Sequence, residues 1–228
     1  MLMLTEVYHV FLIPWCGIRQ SGRNGRTRTM MKYFVLSFIS ILLISCSHKQ
    51  NDATEKQKPL EVSYEELLIQ SGFLDFADSL KVDSLREGIL SSFDICNGSN
   101  NKIAPIDAEE LAELNLNFFI PRLKAMLRRR GFKLDVKTAY ETNHDIFINA
   151  KRVKLYTDEE LENGGFWDAA ARNFFKEINR QLATQNITES FYLLYGGNDL
   201  QAFLLTTKQH QIIAEKFKDD ASEIPYLP

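Results

Sequence analysis

The spacing of apolar positions changes period near residue 132. From there Phe132, Leu134, Val136 and Thr138 alternate with Lys133, Asp135 and Lys137, and a period of two predicts a half-buried strand over residues 132–138. Residues 146–148 and 153–155 are short apolar runs joined through Asn149-Ala150, which extends the prediction to a meander of three antiparallel strands. Residues 191–195 and 200–205 are apolar at successive positions, so both faces of these strands are expected to be covered. Between them Gly196-Gly197-Asn198-Asp199 predicts a hairpin turn at the centre of the sheet.

Elsewhere the period is helical. Ser63 with Glu66 has capping-box spacing, and Leu67 and Leu68 then open an apolar face. A second helix is predicted over residues 75–93, with Phe76, Leu80, Leu85 and Ile89 at mixed three- to five-residue spacings, followed by a loop at residues 97–101. Asp107 with Glu110 opens a long helical region that Pro121 should kink or restart. It closes on Arg128-Arg129-Arg130 and Gly131, cations at the negative end of the helix dipole and then a residue suited to the left-handed cap. Thr157 with Glu160 makes a third box. After Gly164-Gly165, the residues Phe166, Trp167, Ala170, Ala171, Phe174, Phe175, Ile178 and Leu182 form one broad apolar face, the strongest helical pattern in the chain. A last helix is predicted over residues 208–217. The expected fold is α+β: a single domain over residues 60–228, helical in its N-terminal part, with a mainly antiparallel sheet of about five strands packed on one face by the helix around Phe174.

Residues 33–44 are different again, a mostly apolar run behind the single Lys32. At roughly a dozen residues it is too short to cross a bilayer, which takes ~20. It ends in Leu43-Ile44-Ser45-Cys46, with a small side chain next to the cysteine, and a polar stretch follows at once. This segment resembles a bacterial lipoprotein signal peptide. The resemblance implies cleavage before Cys46, a lipid on Cys46 as membrane anchor, and a location in the cell envelope, at the outer membrane facing the periplasm. Cys16 follows a bulky Trp15 and does not fit the same pattern. Signals of this kind begin close to their lysine, so translation is expected to start at Met30 or Met31, with residues 1–45 excluded from the fold. Residues 46–59 hold almost no large apolar side chain and read as a flexible tether.

The chain of 228 residues carries 27 Lys and Arg against 30 Asp and Glu, a formal charge of −3. Residues 1–45 hold five of those cations and one acid, so the mature chain stands at −7. An acidic domain argues against nucleic acid as a partner, since phosphate backbones are bound by clustered Lys and Arg. Of three cysteines only Cys96 would remain beside the acylated one, so no intramolecular disulfide and no thiolate-rich metal site is expected, and Cys96 reads as a small buried hydrophobe.

Candidate chemistry is sparse. The tip Gly196-Gly197-Asn198-Asp199 places an amide and a carboxylate beside Tyr195, although turn chemistry accounts for each residue without a function. No Lys-Ser or Lys-Thr follows it, so it is no phosphate cradle. Trp167, at a helix entrance behind two glycines, is the aromatic residue placed to line a groove. Tyr195, Asn198, Asp199 and Trp167 are therefore the candidate binding residues. His144-Asp145 would supply a base and its carboxylate, but neighbours on a strand point to opposite faces. His48, His144 and His210 are scattered without ligand spacing, and there is no Gly-x-Ser-x-Gly elbow, so neither a metal, a cofactor nor a catalytic set is assigned. Lys151, Arg152 and Lys154 read as a solvated strand edge. Asp78-Ser79-Leu80 and Asp83-Ser84-Leu85 resemble a short acceptor motif for O-linked sugars, which helical burial would forbid. The expected function is a lipid-anchored, non-catalytic module that binds another protein, immunity-protein-like in size, charge and layout. The alternatives are an envelope hydrolase at the hairpin tip and a structural envelope lipoprotein.

Overall fold

Capping chemistry sets where the chain turns helical. The computed structural model describes residues 62–139 and 144–228; the expected leader, the tether and Cys46 lie outside them. Ser63 accepts from the Glu66 N–H while the Glu66 carboxylate accepts from the Ser63 N–H, and this reciprocal box starts α1 (Tyr64–Gln70). The helix expected over residues 75–93 forms only as α2 (Val82–Ser92), because residues 71–81 pass through successive turns. Gly72 stands among those turns at φ +79°, with the Asp75 carboxylate folded over it where a Cβ would have no room. After β1 (Ile103–Pro105), Asp107 caps α3 (Ala108–Ala112) by accepting from the Glu109 and Glu110 N–H groups. Pro121 lies in the first turn of α4 (Ile120–Arg128), where a missing N–H leaves no bond unmade. The expected interruption is thus a restart, with a 3₁₀ turn at Leu116–Phe118 between the two helices. Gly131 at φ +76° lets the Phe132 N–H return to the Leu127 carbonyl and ends the helical region.

The meander forms as β2 (Val136–Thr138), β3 (Asp145–Ile148) and β4 (Lys151–Lys154), all antiparallel. Of the strand expected over residues 132–138, only the last three residues pair. Phe132 and Leu134 are buried without a ladder, so the alternation reported burial and not pairing. Two helices follow, α5 (Asp158–Glu162) behind the Thr157–Glu160 box and α6 (Phe166–Thr184). The chain then makes β5 (Glu189–Leu194), β6 (Gln201–Thr206) and α7 (Thr207–Lys216), the last opened by a further box of Thr206 and Gln209.

The architecture is α+β, but the expected single sheet of about five strands is two antiparallel sheets of three, ordered β2-β3-β4 and β1-β6-β5. The unforeseen strand is β1, too short to show a period. It pairs through Ile103↔Phe203, and β5 pairs on the other side through Tyr192↔Phe203. Strand β6 is therefore central and β5 is outermost, so only half of the expected hairpin lies at the sheet centre. The C-terminal tail blunts the outer edge of β5: Leu193 and Tyr226 exchange two N–H···O=C bonds of 2.7 Å.

Both faces of this sheet are buried, which is why its strands read as continuous apolar runs. Phe191, Leu193, Ala202 and Leu204 face a core made with α3, α4, α6 and the second sheet. Tyr192, Leu194, Phe203 and Leu205 face a second core made with α1, α2 and α7. Helix α6 buries the expected face, with Phe174 edge-on to Phe119 at 6.0 Å and Phe175 against Phe191 at 5.0 Å. Cys96 is half-buried against the second core. Among the described residues no helix is long and apolar enough to cross a membrane.

Candidate functional site

The hairpin tip engages its polar groups within the fold. Gly197–Asp199 is a 3₁₀ turn, and Tyr195 precedes it at φ +62°. The Tyr195 hydroxyl donates to Glu223 Oε2 at 2.7 Å, and its carbonyl accepts from the Tyr226 hydroxyl at 3.1 Å. Burial first, and then the Glu223 hydrogen bond, push the Tyr195 phenol well above its ordinary range, so it is no base near neutral pH. Asn198 is exposed and donates to Glu109 Oε2 at 3.5 Å; Asp199 is exposed beside it.

Trp167 does not join this group. Its ring packs on Phe166 at 5.7 Å against the first core, and its indole N–H is buried without a partner. Tyr226 is the link between the two, since it holds the Tyr195 carbonyl and lies 4.8 Å below the guanidinium of Arg172, just over a turn along α6 from Trp167. The four candidate binding residues thus form no single pocket. Asn198→Ala and Asp199→Ala are each expected to change stability by no more than about 0.5 kcal/mol in urea unfolding, as exposed positions do. Tyr195→Phe should cost about 1 kcal/mol, the net value of one hydrogen bond.

His144 and Asp145 turn apart, as strand alternation requires. His144 Nε2 is 3.6 Å from Asp158 Oδ1, while Asp145 Oδ2 accepts from Arg152 Nε at 2.6 Å. The His144 ring lies 4.4 Å from Tyr156, and His144 Nδ1 and Asp145 Oδ1 are buried without partners. His210 stacks on Tyr192 at 4.2 Å, with Nε2 2.7 Å from the Pro225 carbonyl oxygen. Lys151 and Lys154 are exposed on the outer strand β4. Asp78-Ser79-Leu80 is not helical, and Ser79 and Leu80 are exposed, so the objection from helical burial does not hold there.

A buried cluster of charge lies at the opposite end of β5 from the tip, roughly 20 Å along the strand. A cleft of about 280 Å³ opens there between the turns after α1, the α6–β5 loop and the start of α7. Lys102, just before β1, places Nζ 2.5 Å from Glu189 Oε1 and 3.2 Å from Gln209 Oε1. Arg130, just after α4, donates from Nε to Glu189 Oε2 at 2.7 Å and from Nη2 to Oε1 at 3.1 Å. Its Nη1 donates to the Met126 carbonyl at 3.0 Å, and Gln209 Nε2 donates to the Ser71 carbonyl at 3.1 Å. The side chains of Lys102, Arg130 and Glu189 are only 1%, 2% and 6% exposed. Phe76 lies 4.0 Å from the Arg130 guanidinium carbon and 5.8 Å from Lys102 Nζ.

Burying three charges is costly, and what offsets the cost here is the geometry: both oxygens of Glu189 accept charge-assisted hydrogen bonds. Burial alone would raise the Glu189 carboxyl, but the hydrogen bonds and charges of Arg130 and Lys102 outweigh it and hold the group below its ordinary range. Burial also draws the Lys102 ammonium down, against the pull of Glu189. Sequence reasoning missed this cluster. Lys102 and Glu189 stand out by no motif or period, and Arg130 reads only as one of three cap cations. The one available signal was an acid opening a strand that is otherwise apolar on both faces.

The fold and the cluster define an α+β protein with an ionic cleft at one end of a doubly covered sheet. Comparison with known protein families, curated proteins and solved structures finds no match to this chain.

Proposed function

We propose that this chain is a lipid-anchored protein of the bacterial cell envelope whose domain binds another protein and performs no catalysis. The anchoring half is supported by the Leu43-Ile44-Ser45-Cys46 motif behind its short apolar run. The non-catalytic half is supported by one observation: the carboxylate of the buried cluster is clamped by two cations, so it is poorly placed to take up a proton from a substrate. An immunity module that neutralises a toxin arriving in the periplasm is a concrete form of this reading. A hydrolase at the hairpin tip has less support, since the Tyr195 hydroxyl is committed to Glu223.

In cells, Cys46→Ser is expected to move the protein from the membrane to the soluble fraction and to end labelling by a fatty-acid probe, while Cys16→Ser changes neither. Intact mass of protein taken from membranes tests the anchor directly. A diacylglyceryl N-terminal cysteine supports the proposal; an uncleaved leader with unmodified Cys46, or membrane retention of the Cys46→Ser protein, overturns it. For the binding half, a stoichiometric partner captured from the envelope by the full chain is the expected result, and turnover on a panel of envelope substrates is the contrary one.

A further inference from the structure

The chain carries two copies of one tripeptide, and the fold treats them differently. Asp78-Ser79-Leu80 and Asp83-Ser84-Leu85 each set a hydroxyl between a carboxylate and a leucine, the pattern that resembles an acceptor for O-linked sugars. The second copy is closed. Ser84 lies in the first turn of α2, its hydroxyl donates to the Lys81 carbonyl at 2.9 Å, and Leu85 is only 4% exposed in the core with α1 and α7. An enzyme could grip that leucine only by melting the helix.

The first copy is open. The Lys81 N–H donates to the Asp78 carbonyl at 2.8 Å, closing a β-turn with Ser79 and Leu80 at its two central positions. Asp78 Oδ1 accepts from the Leu80 N–H at 3.2 Å, an Asx turn inside the same loop. Both ends of the turn are tied to Ser99: the Asp78 N–H donates to its carbonyl at 2.9 Å and Lys81 Nζ to its hydroxyl at 3.1 Å. At the tip, Leu80 is 94% exposed, Ser79 is exposed, and the Ser79 hydroxyl makes no hydrogen bond among the described residues. An exposed leucine alone is ordinary on a protein surface. A free hydroxyl beside it, on a turn held at both ends, in a motif whose twin is closed off, is not.

We propose that Ser79 is an acceptor for an O-linked glycan and that Ser84 is not. The co-reactant is a diphosphate-activated sugar. The Ser79 O–H bond breaks and a bond from Oγ to the sugar C1 forms, while the C1–O bond to the diphosphate breaks. The diphosphate leaves with the bonding pair, the serine proton passes to a base of the transferase, and nothing is oxidised or reduced. Asp78 Oδ2 stands outside the turn's hydrogen bond, where a cation of the transferase can read it, and Leu80 offers its side chain to an apolar pocket. A bulky polar glycan needs a position with no packed neighbour, and the turn tip supplies one. An envelope transferase meets this loop only after export, so the site rests on the reading of the chain as an envelope protein.

The test uses the full chain, produced in its own bacterial host and taken from membranes, with intact mass and electron-transfer fragmentation of the peptide that spans residues 78–84. The expected result is a mass above that of the lipidated polypeptide by whole sugar residues, located on Ser79. Ser79→Ala should abolish it, Ser79→Thr should keep it, and Ser84→Ala should leave it unchanged. Asp78→Asn keeps an oxygen for the Asx turn and removes only the charge, and Leu80→Gln changes an exposed side chain, so both should fold with an unchanged urea midpoint. Each should lower occupancy of Ser79 to background. An unmodified Ser79, a phosphate in place of a sugar, sugar on Ser84 instead, or occupancy indifferent to both Asp78→Asn and Leu80→Gln would each overturn the assignment. The two readings fail separately. Protein with a diacylglyceryl Cys46 and no sugar removes this site and keeps the anchor, whereas a glycosylated chain with its leader uncleaved removes the anchor and keeps the site.

Discussion

Glu189→Ala is expected to lower the unfolding free energy by about 3–5 kcal/mol, among the largest effects of any single substitution in the domain. The deletion leaves Lys102 and Arg130 facing each other with side chains 1% and 2% exposed and no carboxylate between them. It also unties β5 from the residue before β1 and from the end of α4, since those contacts run through Glu189. Urea unfolding of the full chain measures the loss. The pH dependence identifies its origin. Glu189 is held below its ordinary 4.5 in the folded protein, so its contribution is fully present above the unfolded value and is lost as pH falls through the folded one. Glu189→Gln should therefore differ most from the parent near neutral pH, and the gap should narrow as pH falls through the lowered folded value and the parent carboxylate is protonated. A gap that stays constant with pH would mean that shape, and not charge, is what Glu189 provides.

Phe203→Ala and Leu204→Ala are both expected to be severe, at about 3–5 and 2–5 kcal/mol. They are neighbours on β6, and adjacent residues on a strand point to opposite faces. A sheet covered on one side would tolerate one of the two. Here both are fully buried, Phe203 in the core with α1, α2 and α7 and Leu204 in the core with α3, α4 and α6. Each truncation opens a cavity in a different core, so the effects should add in the double variant to within about 0.5 kcal/mol unless the backbone of β6 itself shifts. Tolerance of either single change would show that one of the two layers is loosely attached to the sheet.

Much of the domain is written locally and was legible without a fold. The boxes at Ser63 and Thr157, the restart at Pro121 and the cap at Gly131 depend on contacts within four or five residues, so their chemistry is complete in a short window of sequence. The buried face of α6 and the double burial of β5 and β6 were readable for a related reason, because a repeated environment imposes a repeated residue type. What tertiary structure alone decided is of two kinds. Strand β1 and the order β1-β6-β5 rest on pairing across about a hundred residues, and three residues carry no period to announce it. The ionic cleft joins Lys102, Arg130, Glu189 and Gln209, separated by as many as 107 positions, and a charge looks the same in sequence whether it meets water or a partner. The hairpin tip drew attention because turn residues are polar and close together along the chain. The fold instead gathers its charges at the far end of the same strand, where burial makes each hydrogen bond to a carboxylate strong and each missing one costly.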